Sequence, residues 1–317
     1  MRRTVASPRQ IFGVFAVFGA VCFAQPATEQ SRSHLASPLH SYTLKLESFV
    51  PSPGNPVGVL LKARINGGKA LHLVLDSGAE HVVISRGTAR ATGLTGESSL
   101  ALVGFGQAES ASLMVARTLD VGPLSFRDFP VDVVDHKLLE GADGVLPLVL
   151  FSDFLVRLDF PAKVLDLAPY EAGRASHEGF TSAVFANAVL FLKTALDRLH
   201  EGYFLVDTGA AHNAVSRKTA RALGGPFFQA PARQVQGASG SSEAPAMRPG
   251  VHFRMAGQEI TSNDVVMVDL DQMSRYNGVE VAGLLGYPAL RSFVVTVNYR
   301  DSLVRMETRG SGPAADQ

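Results

Sequence analysis

The chain has 317 residues, 46% hydrophobic and 18% charged, with a formal net charge of zero. That composition belongs to a folded globular protein with apolar material for a sizeable core, in one large domain or two of ordinary size. With balanced charge and no basic block, a pull towards phosphate backbones or anionic membranes is not indicated, and nucleic acid is set aside as a partner.

The chain opens with Arg2, Arg3 and Arg9, continues with the uncharged run IFGVFAVFGAVCFA (residues 11–24) and then turns polar in QPATEQSRSH. These are the three parts of a secretory leader, and the run is short against the roughly 20 apolar residues of a membrane span. Residues 1–24 are therefore expected to be a signal peptide cleaved after Ala24. The protein is expected to be exported, periplasmic or secreted, without membrane attachment after cleavage. Cys22, the only cysteine, lies inside this leader. Val21 stands where a lipoprotein signal has a small residue. The exported chain would then hold no disulfide, thiol nucleophile or Cys-based zinc site. Residues 25–40 read as a poorly ordered N-terminal segment.

From residue 41 onward the pattern is mostly strand. GVLLKARINGGKALHLVLD (58–76) holds two apolar runs separated by Asn66, Gly67 and Gly68, a hairpin signal. LDVGPLSFRDFPVDVVD (119–135) and FRMAGQEITSNDVVMVD (253–269) each break at a glycine between alternating segments. SRGTARATG (85–93) and SRKTARALG (216–224) each offer a capping Ser and a terminal Gly, predicting one short helix apiece. Two small β domains follow, at 41–170 and 178–308, with a linker at 171–177 and a disordered tail at 309–317.

These two segments are copies. LVLDSGAEHVVISRGTARATG (73–93) laid over FLVDTGAAHNAVSRKTARALG (204–224) gives 11 identities in 21 positions and aligns Asp76 with Asp207. GVLPL (144–148) and FLVRLDF (154–160) return as GLLGY (283–287) and FVVTVNY (293–299), eight residues further on than the first offset requires. The extra residues are expected in a surface loop within QGASGSSEAPAMRPG (236–250). The period is that of a whole domain, so the chain reads as a tandem duplication.

One Asp-Ser-Gly turn is ordinary strand-to-turn chemistry. Two are different, because duplicated domains can associate about a pseudo-twofold axis and bring equivalent turns face to face. Carboxylates about 3 Å apart cannot both ionise and titrate as a coupled pair. One can then serve as base towards a bound water while the other, protonated, donates to the carbonyl under attack.

The chain here resembles the retropepsin-like aspartic proteases, in particular the exported bacterial type with two such domains in tandem. LVLDSGA, FLVDTGA, the apolar VVIS and NAVS after them, and the late GVLPL and GLLGY carry the resemblance across nearly all of both copies. It implies an all-β fold of two pseudo-twofold-related retropepsin- or pepsin-like barrel lobes with one short helix each. It implies a catalytic dyad of Asp76 and Asp207, a hydroxyl bridge of Ser77 and Thr208, and tight turns at Gly78 and Gly209. The stretches around Gly104, Phe105 and Gly106, and around Gly237 and Gly240, fall where a substrate-covering flap is expected. The implied protein is an aspartic endopeptidase acting on polypeptide as a monomer, an intramolecular pseudo-dimer, with no metal or organic cofactor. Two alternatives stand beside it: a non-catalytic peptide-binding protein on the same fold, and lobes that pair between chains.

The pattern departs from the family at two places. Leu284, Leu285 and Gly286 keep the late motif, but Val145 and Leu146 are followed by Pro147, which lacks a backbone donor and is expected to alter the support of Asp76. Ala79 and Ala210 follow the glycines where pepsin-like enzymes carry a hydroxyl. Without that donor the dyad is expected to titrate higher and to work at mildly acidic to near-neutral pH. His81 and His212 recur five residues after each carboxylate, but no metal-ligand spacing surrounds them, so a structural or surface role is expected. Ser85 and Ser216 read as helix caps. Asp132, Asp135, Glu140 and Asp143 read as solvated edge charges rather than a cation cage. GFG at 104–106 lacks the context of a nucleotide site.

Overall fold

The structure, a computed structural model of the chain, describes residues 20–21, 34–36, 40–51, 54–103, 108–136, 138, 140–170, 177–197, 200–223, 230–237, 240–246 and 249–309. The leader, the linker, the tail and the first expected flap tip (Gly104 to Gly106) fall wholly or largely outside these residues. Within the segment 25–40, His34–Leu35 pair with Phe126 and Arg127. No helix among the described residues is long and apolar enough to cross a membrane.

The fold is mostly strand. In the first half, Gly58–Ile65, Ala70–Asp76, Gly144–Pro147, Val82–Ser85, Leu124–Val134 and Ala108–Val121 are neighbours in that order, and Ala63 pairs with Val121 to close a six-stranded barrel. The first hairpin forms because Asn66 (φ 51°) and Gly67 (φ 69°) tolerate the left-handed backbone of a tight turn. Ala70–Asp76 is a continuous apolar run because both its faces are covered. Leu73 and Leu75 enter the main core, while Val74 packs in a second cluster with Phe49, Val83 and Val145.

The second half repeats the order with Val189–Leu196, His200–Val206, Val281–Leu285, Asn213–Ser216 and Val265–Val268. Its sheet is unclosed, because the counterparts of the two long strands are broken. Gly240–Ala246 and Val251–Met255 replace one, and Gln258–Ser262 and Val265–Val268 the other. The stretch 236–250, expected as a loop, thus contains a strand.

In both halves the late strand threads between the two strands that flank the Asp turn. Gly144–Pro147 runs parallel to Ala70–Asp76 and antiparallel to Val82–Ser85; Val281–Leu285 does the same with His200–Val206 and Asn213–Ser216. A β-carbon at Gly144 would lie 2.3 Å from the Val83 carbonyl, and one at Gly283 2.4 Å from that of Ala214, so only glycine admits the crossing.

A third sheet draws strands from both halves, in the order Thr181–Ser182, Leu303–Thr308, Phe293–Asn298, Phe154–Asp159, Val164–Pro169, Tyr42–Lys45. Its central pairing, Val156 with Val297 and Leu158 with Val295, ties the halves through backbone hydrogen bonds. The two anticipated helices are α1 (Arg86–Ala91) and α2 (Arg217–Leu223). Ser85 and Ser216 each accept from the backbone N–H three residues on. The expectation of one helix per half needs correction. The second half adds α3 (Asp271–Asn277) and α4 (Tyr287–Leu290), and the first has a 3₁₀ turn at Leu148–Phe151. In α3 only Met273 is buried, so no apolar stripe marks it; its signals are terminal, Asp269 accepting from Asp271 N–H at the start and Gly278 in the left-handed conformation at the end.

Candidate active site

Asp76 is the last residue of its strand and Asp207 follows the equivalent one; both are fully buried. Each turn folds back on its own carboxylate: Gly78 N–H donates to Asp76 Oδ1 at 2.7 Å and Gly209 N–H to Asp207 Oδ1 at 3.0 Å. The turns then interlock. Ser77 Oγ donates to the Val206 carbonyl (2.7 Å) and accepts from Thr208 N–H (3.1 Å). Thr208 Oγ1 donates to the Leu75 carbonyl (2.7 Å) and accepts from Ser77 N–H (3.0 Å). A hydroxyl, with one proton and two lone pairs, can make both bonds.

The carboxyl groups lie in the space that each other's glycine leaves open. A β-carbon on Gly209 would sit 2.6 Å from Asp76 Cγ, and one on Gly78 2.9 Å from Asp207 Cγ. Burial pushes the Asp207 carboxyl well above the usual range; the charge of Asp76 and a hydrogen bond with it add to this, against the N–H groups of Gly209 and Ala210. Such a pair retains a proton where free aspartates have lost theirs.

Pro147 does not disrupt the first turn. It is extended (φ −70°, ψ 136°) and stays in parallel register with Asp76. In the second half the Gly286 N–H donates to Asn213 Oδ1 at 2.8 Å. The first-half counterpart of Asn213 is Val82, 131 residues earlier (213 − 82), as Asp76 is before Asp207. Where the donor is missing, so is the acceptor that would need it.

The histidines have partners. His81 Nδ1 lies 3.2 Å from both oxygens of Asp132, and His212 Nδ1 2.5 Å from Asp264 Oδ1. Asp132 is fully buried, which corrects its reading as a solvated edge charge: its strand is covered on both faces at Val131–Val134. Of the others, Asp143 accepts from His72 N–H, Asp135 pairs with Arg86 and Glu140 is exposed. Burial opposes a charge on His81, but the hydrogen bond and charge of Asp132, with Glu80, outweigh it and raise its pKa. Among the described residues no group of three or more His, Cys, Asp or Glu is arranged to hold a metal.

Of the second expected flap, Gly237 and Gly240 pair with each other and close the hairpin of Ala230–Gly237 and Gly240–Ala246. Two residues near the dyad escaped the sequence reading. Glu80, four positions past Asp76, accepts a 2.9 Å hydrogen bond from the Tyr276 hydroxyl on α3. A carboxylate so close to an Asp turn was the available signal; its partner, 196 residues away, left none.

Comparison with known proteins agrees with this geometry. The family model described as aspartyl protease matches the chain twice, over residues 61–150 and 199–289. Among solved structures, the aspartic proteinase from Irpex lacteus is similar in fold, with a TM-score of 0.53 at 12% identity, over 86% of this chain and 99% of that one. Among curated proteins none matches.

Proposed function

Because the chain belongs to the aspartyl protease family, we propose that it is an exported endopeptidase whose single active site is made by its two halves. Asp76 and Asp207 form the dyad, with the halves as pseudo-twofold lobes at 41–170 and 178–308. The observation that carries this reading is the reciprocal seating of each carboxyl over the other half's glycine.

In the proposed reaction the pair holds one proton. The ionised carboxylate takes a proton from water as that water attacks the peptide carbonyl, and the protonated partner donates to the carbonyl oxygen. The tetrahedral intermediate collapses with proton transfer to the leaving nitrogen. Ser77 and Thr208 hold the turns together, and the Gly78 and Gly209 N–H groups hold one oxygen of each carboxyl in place. An extended polypeptide, held by strand-like backbone bonds in a cleft between the lobes, is the proposed substrate. The site as drawn works in a single chain, without a metal or organic cofactor.

The test is incubation of an unfolded protein with the enzyme in ¹⁸O-water between pH 3 and 8, roughly the span of carboxylate and histidine titration. New internal termini bearing solvent oxygen are expected. Binding of the unfolded chain with no new termini at any pH would replace the enzyme reading with that of a peptide-binding protein.

A further inference from the structure

We propose that Glu80 and Tyr276 form a clasp between the two halves of the chain, seated at least cost in mild acid, where the carboxyl is neutral, and at growing cost as the pH rises towards neutrality. The idea goes beyond the proposed reaction and does not require that the chain cleave anything.

The clasp joins the two Asp turns by a route separate from the hydroxyl bridge. Glu80 stands on the turn that begins at Asp76, and its Oε2 accepts the Tyr276 hydroxyl at 2.9 Å. Tyr276 lies on α3, which is anchored at two further points. Ser274 Oγ accepts from Val281 N–H at 3.0 Å, at the start of the strand that runs beside His200–Val206. The Tyr276 carbonyl accepts from Asn187 Nδ2 at 2.9 Å. A continuous chain of bonded groups thus runs from the Asp76 turn to the strand supporting Asp207.

The clasp occurs once. The counterpart of Glu80 in the second half is Ala211 (211 − 80 = 131), a buried methyl with nothing to offer. Residues 136 to 143 of the first half include no helix equivalent to α3 among those described. The duplicated turns therefore differ in this contact, which spans the halves.

The groups facing the Glu80 carboxyl are His81 on its own turn, Asp132 on Leu124–Val134 and Tyr276 on α3. Burial disfavours its charge most, and the Asp132 carboxylate adds to this. The Tyr276 hydroxyl and His81 oppose them, and the balance pushes the pKa up to about 7. An acid raised in the folded state is unpenalised below its unfolded pKa, and its contribution is lost as pH climbs to the folded one. The raised His81 works in the same direction, since its partnership with Asp132 is lost when it deprotonates. From roughly pH 4 to 8 the cluster changes from no net charge to net negative, so burying Glu80 becomes costly although its bond to Tyr276 is not weakened by ionisation.

Two measurements test the clasp, neither using cleavage. In thermal denaturation Glu80→Gln, whose amide oxygen still accepts from Tyr276, is expected to match the native chain at about pH 4, below the ordinary glutamate pKa. At pH 8 it should melt roughly 2–6 °C higher, because it cannot ionise. A native-minus-variant difference that is the same at both pH values would overturn the proposal. In ¹³C NMR of glutamate-labelled protein, one carboxyl signal, identified as the one whose titration moves in Tyr276→Phe, should titrate near neutrality. In Tyr276→Phe it should titrate higher, because the donor favouring the ionised form is gone. An ordinary glutamate titration, or one unmoved by Tyr276→Phe, would contradict the clasp, and this arm holds should Glu80→Gln fail to fold.

Discussion

Asp207 is held where a charge is costly, and that sets the pH behaviour of the site at the scale of single residues. Its carboxyl is buried, faces Asp76 and titrates well above an ordinary aspartate. The folded state bears no penalty where the group is neutral in both states, below roughly pH 4; as pH rises towards the folded pKa, that advantage is lost. Asp207→Asn is therefore expected to be more stable than the native chain at pH 7, by about 2 °C or more in Tm, with the gap shrinking towards pH 3 to 4, roughly the free-aspartate pKa. A pH-independent deficit in the variant would contradict this. The same residue is proposed as catalytic, so the gain in stability should come with loss of cleavage. The alanines after the glycines also fit a dyad working above the strongly acidic range of pepsin, about pH 2 to 3.

At the scale of elements, the two crossings solve one problem with different chemistry. The second half buries an Asn213 side chain that accepts from Gly286 N–H and donates to Ser262 Oγ at 2.9 Å. The first half uses Val82 and Pro147, which leave no polar group to satisfy. Asn213→Ala strands a buried N–H and is expected to cost about 1–3 kcal/mol, measured by denaturant unfolding; an unchanged midpoint would contradict the account. Much at this scale was legible in the sequence. The Asn66-Gly67 turn, the Ser-capped helices and the late strands each carry a local signal. Asp132 was misread because an acidic residue near a strand end suggests solvent. Its neighbours Val131, Val133 and Val134, all buried, mark a strand covered on both sides, where a carboxylate needs a partner such as His81. Helix α3 has no apolar stripe to read, although Asp269, which accepts from Asp271 N–H, marks its start and Gly278 in the left-handed conformation (φ 63°) its end.

At the scale of the whole molecule, the internal repeat was legible in the sequence but the way the halves meet was not. Strand periodicity shows which residues turn inward and says nothing about which distant strand lies alongside. The sheet joining Phe154–Asp159 to Phe293–Asn298 and the bonds from Ser77 and Thr208 into the opposite strand ends are long-range pairings of this kind. So is the contact of Glu80 with Tyr276. Together they support the proposal of one functional unit: neither half holds both carboxylates, and each glycine's vacant β-position is filled by the other half. The most direct test of that claim is cleavage of an unfolded protein by size-selected monomer, comparing the native chain with Asp76→Asn and Asp207→Asn. The account predicts that the native monomer cuts and that each single substitution lowers the rate at least about a hundredfold. Substantial activity in either variant, or activity confined to larger assemblies, would contradict a dyad shared between the halves of one chain.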